Sequence, residues 1–224
     1  MSSVTGTSGG PREGPAGTVM VVATGVANVA SVLAAWRRLG VSARLTRDPA
    51  EVLEASHVQL PGVGSFGAAM ESLRQDGLDE ALRRRMALGR PTLAICVGLQ
   101  VLAEASEESP GVPGIGVFPG VVRRFPGTVR VPQFGWNAVS LPGGQRPPEA
   151  PLAPGHAYFA NSYRLAEAPG GWQWAVADHG GPFVAALWRG AVLATQFHPE
   201  LSGPWGLGVM ARFAALPADG RTSW

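Results

Sequence analysis

The only cysteine of the chain, Cys96, stands in the stretch PTLAICVGLQVLAE, residues 91–104. Four residues typical of a buried strand, Thr92 to Ile95, precede it, and an apolar run at helical spacing follows Gly98. A cysteine between a strand and a helix has two interpretations. It is either a small buried hydrophobic residue, or a nucleophile on a strained turn, where the positive end of the helix stabilises the thiolate.

A histidine and a carboxylate follow another strand, in the stretch TQFHPE, residues 195–200. His198 is a candidate general base that takes the thiol proton and later hands it to a leaving amine. Glu200 is a candidate for fixing the imidazole tautomer and stabilising the imidazolium. The alternative is a surface turn with a weak ion pair.

The stretch PGVGSF, residues 61–66, supplies a glycine-rich segment after a third strand. Gly62 and Gly64 allow backbone N–H groups to approach a developing oxyanion, because glycine has no Cβ in the way. An ordinary tight turn is the alternative. A phosphate cradle is disfavoured, since the Lys-Ser/Thr pair of a P-loop is absent and no G-x-G-x-x-G follows the first strand. Taken together, the three stretches predict acyl transfer through a thioester.

The elements that must position these residues alternate between strands and helices up to about residue 110. Strands are predicted in residues 18–24, 41–47 and 57–60 and before Cys96, with helical spacing after residue 28 and across 67–88. Beyond residue 110, short β-like runs separated by glycine, proline and polar turns indicate hairpins, and a last amphipathic helix closes the chain. We therefore expect an α/β fold: a doubly wound, mostly parallel sheet with helices on both faces and an antiparallel β extension in the C-terminal half. Residues 1–17 are expected to form a disordered extension, and 18–224 a single domain.

Composition narrows the class of protein. Hydrophobic residues make up 46% of the chain and charged residues 15%, which is ample for a core. One cysteine excludes a disulfide framework and a cysteine-rich zinc site, and no apolar run reaches the ~18 residues of a membrane span. We expect a cytoplasmic protein. All 18 basic residues are arginines spread along the chain, and the run at 83–85 is predicted to face solvent on a helix. Neither nucleic acid nor a membrane is therefore an expected partner.

The chain resembles the class I (triad-type) glutamine amidotransferases from Val19 to about Leu216. The family's G-x-C-x-G elbow followed by Gln corresponds to residues 94–100, and its H-P-E to His198-Pro199-Glu200. Within the family the likeness is greatest to the glutaminase subunits of imidazole glycerol phosphate synthase. The segments that carry it are LPGVGSFGAAM, SEESPGVPGIGVFPGVV, VPQFGWNAV, YFANSYR and QFHPELSG.

This resemblance implies a glutaminase that passes ammonia to a (β/α)₈ cyclase subunit in a heterodimer, as part of histidine biosynthesis. Cys96 would be the nucleophile, His198 the base and acid, and Glu200 the orienting carboxylate. The other implied site residues are the oxyanion donors, at Val97 and within Gly62, Val63 and Gly64, and the glutamine-binding residues Gln100, Ser162 and Tyr163. No metal and no organic cofactor is implied.

The sequence departs from the family pattern at five positions. Ala94 replaces the usual elbow glycine, Asn161 and Gln133 stand where histidines are usual, Ala27 replaces a glycine, and Leu201 replaces a common lysine after the triad glutamate. None of these changes removes a catalytic atom. The alternatives are the glutaminase of another synthase, such as that of pyridoxal phosphate or anthranilate, and a catalytically silent subunit that docks a partner.

Overall fold

The computed structural model describes residues 17–25, 29–144 and 150–220. The predicted N-terminal extension, apart from Gly17, lies outside the described residues, as do Ala27 and Asn28. In chain order, the described elements are β1 (Val19–Val22), α1 (Val29–Arg38), β2 (Ala43–Thr46), α2 (Pro49–Glu54), β3 (His57–Leu60), α3 (Phe66–Gln75), α4 (Leu78–Ala87), β4 (Thr92–Ile95), α5 (Val97–Gln100), β5 (Ala105–Ser106), β6 (Val121–Arg124), β7 (Gln133–Val139), β8 (Gly155–Asn161), β9 (Tyr163–Arg164), β10 (Gln173–Asp178), β11 (Pro182–Arg189), β12 (Val192–Thr195), a 3₁₀ turn (Pro199–Leu201) and α6 (Gly203–Ala214).

The main sheet has seven strands in the order β10-β11-β12-β4-β3-β1-β2. The five strands from β12 to β2 are parallel to one another, whereas β10, β11 and β12 pair antiparallel. Every residue of β3, β4 and β12 is buried. Strands of this kind need cover on both faces of the sheet, which helices provide in α/β folds. The predicted α/β class, with a mostly parallel sheet, is therefore confirmed.

The strands that follow residue 104, other than β12, fall into three groups. Strands β10 and β11 extend the main sheet beyond β12. Strands β7 and β8 form a separate antiparallel pair of seven residues each, and β5, β6 and β9 form a small three-stranded sheet. The predicted antiparallel extension is thus present, and part of it lies outside the main sheet.

The helical spacing across residues 67–88 corresponds to two helices, α3 and α4, and not to one. The break falls at Asp76 and Gly77, and Gly77 has a φ of 69°. A left-handed backbone of this kind favours glycine, because a Cβ would crowd the following carbonyl oxygen. No helix in the described ranges is long and apolar enough to cross a bilayer.

One arginine of the run at 83–85 is fully buried, so the prediction of a solvent-facing run is wrong at Arg85. The Arg85 guanidinium lies under α2, where it donates hydrogen bonds to backbone carbonyls at the end of that helix and at the start of β4. Its acceptors are the carbonyl oxygens of Val52, Leu53, Ala55, Ser56 and Pro91 and the hydroxyl of Thr92. These bonds offset the cost of burying the charge.

Candidate active site

Three loops meet at the carboxyl edge of the main sheet. Because β3, β4 and β12 are parallel neighbours, the residues that follow each strand leave the sheet on the same side. They are the glycine loop (residues 61–66) after β3, Cys96 after β4, and the segment leading to His198 after β12. The three stretches for which the sequence predicted a chemical role are therefore brought together.

Cys96 lies on a strained turn between β4 and α5. Its φ of 55° and ψ of −111° make it the only residue other than glycine with positive φ in the described part of the chain. Such a conformation costs on the order of 1–3 kcal/mol and persists where the surroundings enforce it. The Cys96 side chain is buried, and its backbone N–H donates to the Thr195 carbonyl oxygen at 2.7 Å. The predicted strand-turn-helix geometry is present.

The extra methyl of Ala94 fits into the sheet. Ala94 is fully buried, and the strand register sets it opposite Leu60 on β3 and Ala194 on β12. Ala194 has a side chain as small as that of Ala94. The sheet therefore holds alanine at this elbow position.

The glycine loop packs directly on the start of α5. A Cβ on Gly62 would lie 2.3 Å from the Gly98 nitrogen and 2.8 Å from the Val97 Cβ, and a Cβ on Gly98 would lie 2.4 Å from the Leu60 carbonyl oxygen. Glycine is required at both positions because contacts this short exclude a side chain. Gly64 has a φ of 88°, which also favours glycine. The loop that carries Gly62, Val63 and Gly64 is thus held against the Cys96 turn.

His198 and Glu200 form a buried pair. The His198 Nδ1 lies 2.9 Å from the Glu200 Oε1, and the two side chains are 8% and 6% exposed. The 3₁₀ turn at Pro199–Leu201 brings the glutamate back to the imidazole. The His198 N–H donates to the Tyr158 carbonyl oxygen at 2.9 Å, and the Ser202 hydroxyl donates to the His198 carbonyl oxygen at 2.6 Å. The backbone on both sides of the imidazole is therefore fixed.

The imidazole is held in its charged form. Burial lowers the pKa of His198, but hydrogen bonds and charges from Cys96 and Glu200 outweigh burial and raise this pKa to about 10. Near neutral pH, His198 is then an imidazolium beside the Cys96 sulfur and the Glu200 carboxylate. An imidazolium of this kind favours the reactive thiolate form of a cysteine.

The residues expected to hold glutamine lie beside the Cys96 turn. The Gln100 side chain is buried, and its Nε2 donates to the Tyr163 carbonyl oxygen at 3.1 Å and to the Gln196 Oε1 at 3.0 Å. Both N–H groups of the Gln100 amide are thereby used within the protein. The Ser162 carbonyl oxygen accepts a hydrogen bond from the Phe125 N–H. Gln100, Ser162 and Tyr163 are brought together, and here Gln100 contacts protein groups through its nitrogen.

A cleft of about 210 Å³ opens beside the buried pair. Its walls are mainly apolar, and the polar groups of His198 and Glu200 lie on one side. The lining residues are Val32, Pro61, Gly62, Val63, Phe134, Tyr158, Ala160, His198, Glu200 and Leu201. Among the described residues, no group of three or more His, Cys, Asp or Glu side chains is arranged to hold a metal ion.

Two polar residues near the site were not predicted from the sequence. Gln196 is fully buried, and its Nε2 donates to the Cys96 Sγ at 3.6 Å. The Glu108 carboxylate accepts a hydrogen bond at 2.7 Å from the N–H of Phe66, where the glycine loop enters α3. Gln196 could have been noticed as a polar residue that follows an apolar strand and precedes the H-P-E motif. No sequence pattern distinguishes Glu108 from the acidic residues around it.

The sequence matches a known protein family, and the fold matches that of a solved structure. A model of the class-I glutamine amidotransferase family matches residues 21–214. A solved structure described as a glutamine amidotransferase superposes with a TM-score of 0.70 at 23% identity, covering 89% of this chain and 100% of that chain.

Comparison with curated relatives identifies a subgroup within this family. An imidazole glycerol phosphate synthase subunit HisH of Thermus thermophilus is 43% identical and covers 86% of this chain and 94% of its own length. The chloroplastic imidazole glycerol phosphate synthase hisHF of Arabidopsis thaliana is 40% identical over 87% of this chain but only 34% of its own length. The chain belongs to the class-I glutamine amidotransferase family and, within it, to the family of these HisH subunits.

Proposed function

We propose that the chain is the glutaminase subunit of an imidazole glycerol phosphate synthase. It hydrolyses glutamine to glutamate and ammonia, and a (β/α)₈ cyclase subunit uses the ammonia to make imidazole glycerol phosphate and the aminoimidazole carboxamide ribonucleotide. The observation that carries the chemistry is the buried His198–Glu200 pair, 2.9 Å apart, beside a cysteine on a strained turn. The single cysteine suits a reducing compartment, which supports the cytoplasm as the place of action.

The first half of the reaction forms a thioester. The Cys96 thiolate attacks the side-chain amide carbon of glutamine, and the amide oxygen becomes an oxyanion. The N–H of Val97 and an N–H of the glycine loop are the proposed donors to this oxyanion. The His198 imidazolium gives its proton to the amide nitrogen, the C–N bond breaks, and ammonia leaves.

The second half returns the enzyme to its starting state. His198, now neutral, takes a proton from water, and the hydroxide attacks the thioester carbon. The C–S bond breaks, glutamate leaves, and Cys96 is again a thiolate beside an imidazolium. Glu200 holds the Nδ1 proton of His198 through both halves, so that Nε2 faces the reacting atoms. Gln100, Ser162 and Tyr163 are the proposed binding groups for glutamine.

Replacing Cys96 by serine tests the nucleophile. The change is nearly isosteric, so we expect Cys96→Ser to fold like the parent protein and to lose glutamine-dependent turnover. Synthesis by the complex from added ammonia is the internal control and should persist, because it bypasses the glutaminase site. Glutamine turnover near the parent rate in Cys96→Ser would remove this cysteine from the mechanism.

An exposed apolar patch supports a partner protein next to the cleft. The docking face, defined here as Phe134, Trp136 and Leu201, has side chains that are 73%, 59% and 40% exposed. The Tyr158 ring packs edge-on against Phe134 and Trp136, with ring centroids 5.7 and 6.3 Å apart, which gives the patch a fixed shape. Exposed apolar residues grouped in this way are typical of protein–protein interfaces. We propose that the cyclase subunit covers them.

The docking face has a matched control on the same molecule. Leu88 is 58% exposed, much like Trp136, but it lies at the end of α4, on the side where the parallel strands begin. We expect Trp136→Ala to weaken binding of the host's cyclase by at least ~2 kcal/mol, about 30-fold, since buried tryptophans are frequent hot spots. Leu88→Ala should bind as the parent does in calorimetry. Equal affinities for both variants would place the interface elsewhere.

A further inference from the structure

Gln196 lies next to the Cys96 sulfur because of the register between two strands. Strand β12 runs parallel to β4 with Thr195 opposite Ile95, and the next hydrogen bond joins the Cys96 N–H to the Thr195 carbonyl oxygen. Gln196 is therefore the residue that follows the last paired position, at the level of the thiol. A slip of one residue would turn its side chain to the other face of the sheet.

Two further contacts set the orientation of the Gln196 amide. The Gln196 backbone N–H donates to the Ala185 carbonyl oxygen at 2.8 Å, which fixes the main chain. The Gln196 Oε1 accepts from the Gln100 Nε2, and this bond determines which end of the amide faces the sulfur. Since Gln100 donates, the nitrogen of Gln196 is the end that points to Cys96.

We propose that Gln196 is a positioning residue that donates a hydrogen bond to the Cys96 thiolate. The Gln196 Nε2 lies 3.6 Å from the sulfur, and both side chains are buried, so the contact is sheltered from water. A thiolate accepts such a bond better than a thiol does, so the contact stabilises the charged sulfur and aims it. It acts together with the His198 imidazolium and against the Glu200 carboxylate, the other two charged groups at this site.

The inference extends the proposed function, but its test does not depend on glutamine turnover. Cys96 is the only cysteine, so alkylation by iodoacetamide reports on this sulfur alone. Absorbance at 240 nm, measured against Cys96→Ser, gives the thiolate fraction without requiring access for a reagent. Both readouts work on the isolated chain, so they separate a failure of this inference from a failure of the glutaminase assignment.

Two substitutions distinguish the hydrogen bond from Gln196 to the Cys96 sulfur from the hydrogen bond between Gln196 and Gln100. Gln196→Met keeps the length of the side chain but has no donor, so alkylation at a pH below the midpoint of the parent curve should slow by about tenfold, as expected for the loss of a hydrogen bond to a charged group. Gln196→Glu keeps an acceptor for Gln100 but sets a carboxylate against the sulfur, so alkylation should slow further. In both variants, the rise of alkylation and of absorbance with pH should move to higher pH.

Gln59→Met is the matched control. Gln59 is another fully buried glutamine of the same sheet, and its Oε1 accepts from the Trp36 Nε1, remote from the thiol. This variant also loses a buried amide, but its alkylation and absorbance curves should follow those of the parent. Curves for Gln196→Met and Gln196→Glu that coincide with the parent curve would overturn the inference. An equal displacement of the curves of Gln59→Met would also overturn the inference, since it would reflect a general loosening of the protein.

Discussion

At the scale of single residues, His198 and Glu200 make unequal contributions to the proposed reaction. His198 moves protons in both half-reactions, and losing such a group costs about 10²–10⁴-fold in rate. Glu200 only orients and stabilises the imidazole. Since glutamine retains an oxygen that can accept from the His198 Nδ1, 2.9 Å from the present Oε1, we expect Glu200→Gln to lose much less than His198→Ala.

The measurement is kcat for glutamine hydrolysis in the complex with the cyclase and its ligand. Synthesis from added ammonia should be similar in both variants, which controls for folding and assembly. A Glu200→Gln variant that is slower than His198→Ala would assign the proton transfers to the carboxylate and not to the imidazole.

Sequence predicted the triad candidates but not their neighbours. Cys96, His198 and Glu200 are marked by local patterns, namely a strand-to-helix turn and the H-P-E motif. The role of Gln196 depends on the register of β12 against β4, which is a long-range property. The engagement of Gln100 by Gln196 likewise needs the two strands to be neighbours, and no local pattern contains that information.

At the scale of elements, His57 couples the central sheet to the last helix. It lies fully buried on β3, and its ring packs edge-on against Phe213 of α6 at 5.3 Å between centroids. The ring lies beside backbone groups of Phe213 and Leu216 without a hydrogen bond of good geometry to them. Burial lowers the pKa of His57, and the nearby charge of Arg85 lowers it further.

The sign of the pH dependence follows from this lowered pKa. The unfolded chain, with an ordinary histidine pKa of about 6.5, binds a proton more readily than the folded protein does at His57. Stability contributed by neutral His57 is therefore lost as pH falls below about 6.5. His198 acts in the opposite direction: its folded pKa of about 10 gives stability that is full below about pH 6.5 and is lost as pH rises toward 10.

Comparing variants isolates the His57 contribution. We expect the free energy of unfolding in urea to fall between pH 6.5 and pH 5 for the parent, and to fall less for His57→Leu, because the titrating group is gone. His156→Leu is the control, since it removes a histidine that is exposed on β8. Parallel slopes for the parent and His57→Leu would assign acid sensitivity to other groups.

The elements were predicted well where apolar periodicity is strong. They were predicted poorly where a single residue determines that a helix ends or that a charged side chain is buried. The strands β1 and β4 lie within the predicted runs because they are almost wholly apolar, and β3 lies within its predicted run as well. The break at Gly77 was missed, since helical spacing continues on both sides of it. The burial of Arg85 was missed because its partners are backbone carbonyls, which every residue has and which no sequence pattern therefore identifies.

At the scale of the whole molecule, the proposed reaction and the proposed docking face share one edge of the sheet. Leu201 directly follows Glu200, and Phe134 and Leu201 line the same cleft as His198. A partner that covers the docking face therefore contacts the walls of the proposed active site. This continuity gives the cyclase a physical route by which to control glutamine hydrolysis.

The glycine loop is the element that we expect the partner to control. A peptide near Gly62 and Gly64 can reverse at little steric cost and present either its C=O or its N–H to the oxyanion. With the carbonyl facing inward, one oxyanion donor is missing, a loss of about 3–4 kcal/mol and ~10²–10³ in rate. Binding of the liganded cyclase would favour the inward N–H by differential contacts. The isolated chain should thus turn over glutamine at least ~10²-fold more slowly than the liganded complex.

Gly64 is the position at which to test this coupling. Gly62 is unsuitable, because a Cβ there would lie 2.3 Å from the Gly98 nitrogen and displace the Cys96 turn itself. Gly64→Ala strains a φ of 88° and should lower the stimulated kcat more than the affinity for glutamine. Gly40→Ala carries similar strain at a φ of 69° behind α1, with no atom near the added Cβ, and should keep full stimulation. Equal turnover by the parent with and without its partner would leave a plain glutaminase, and the synthase assignment would fall.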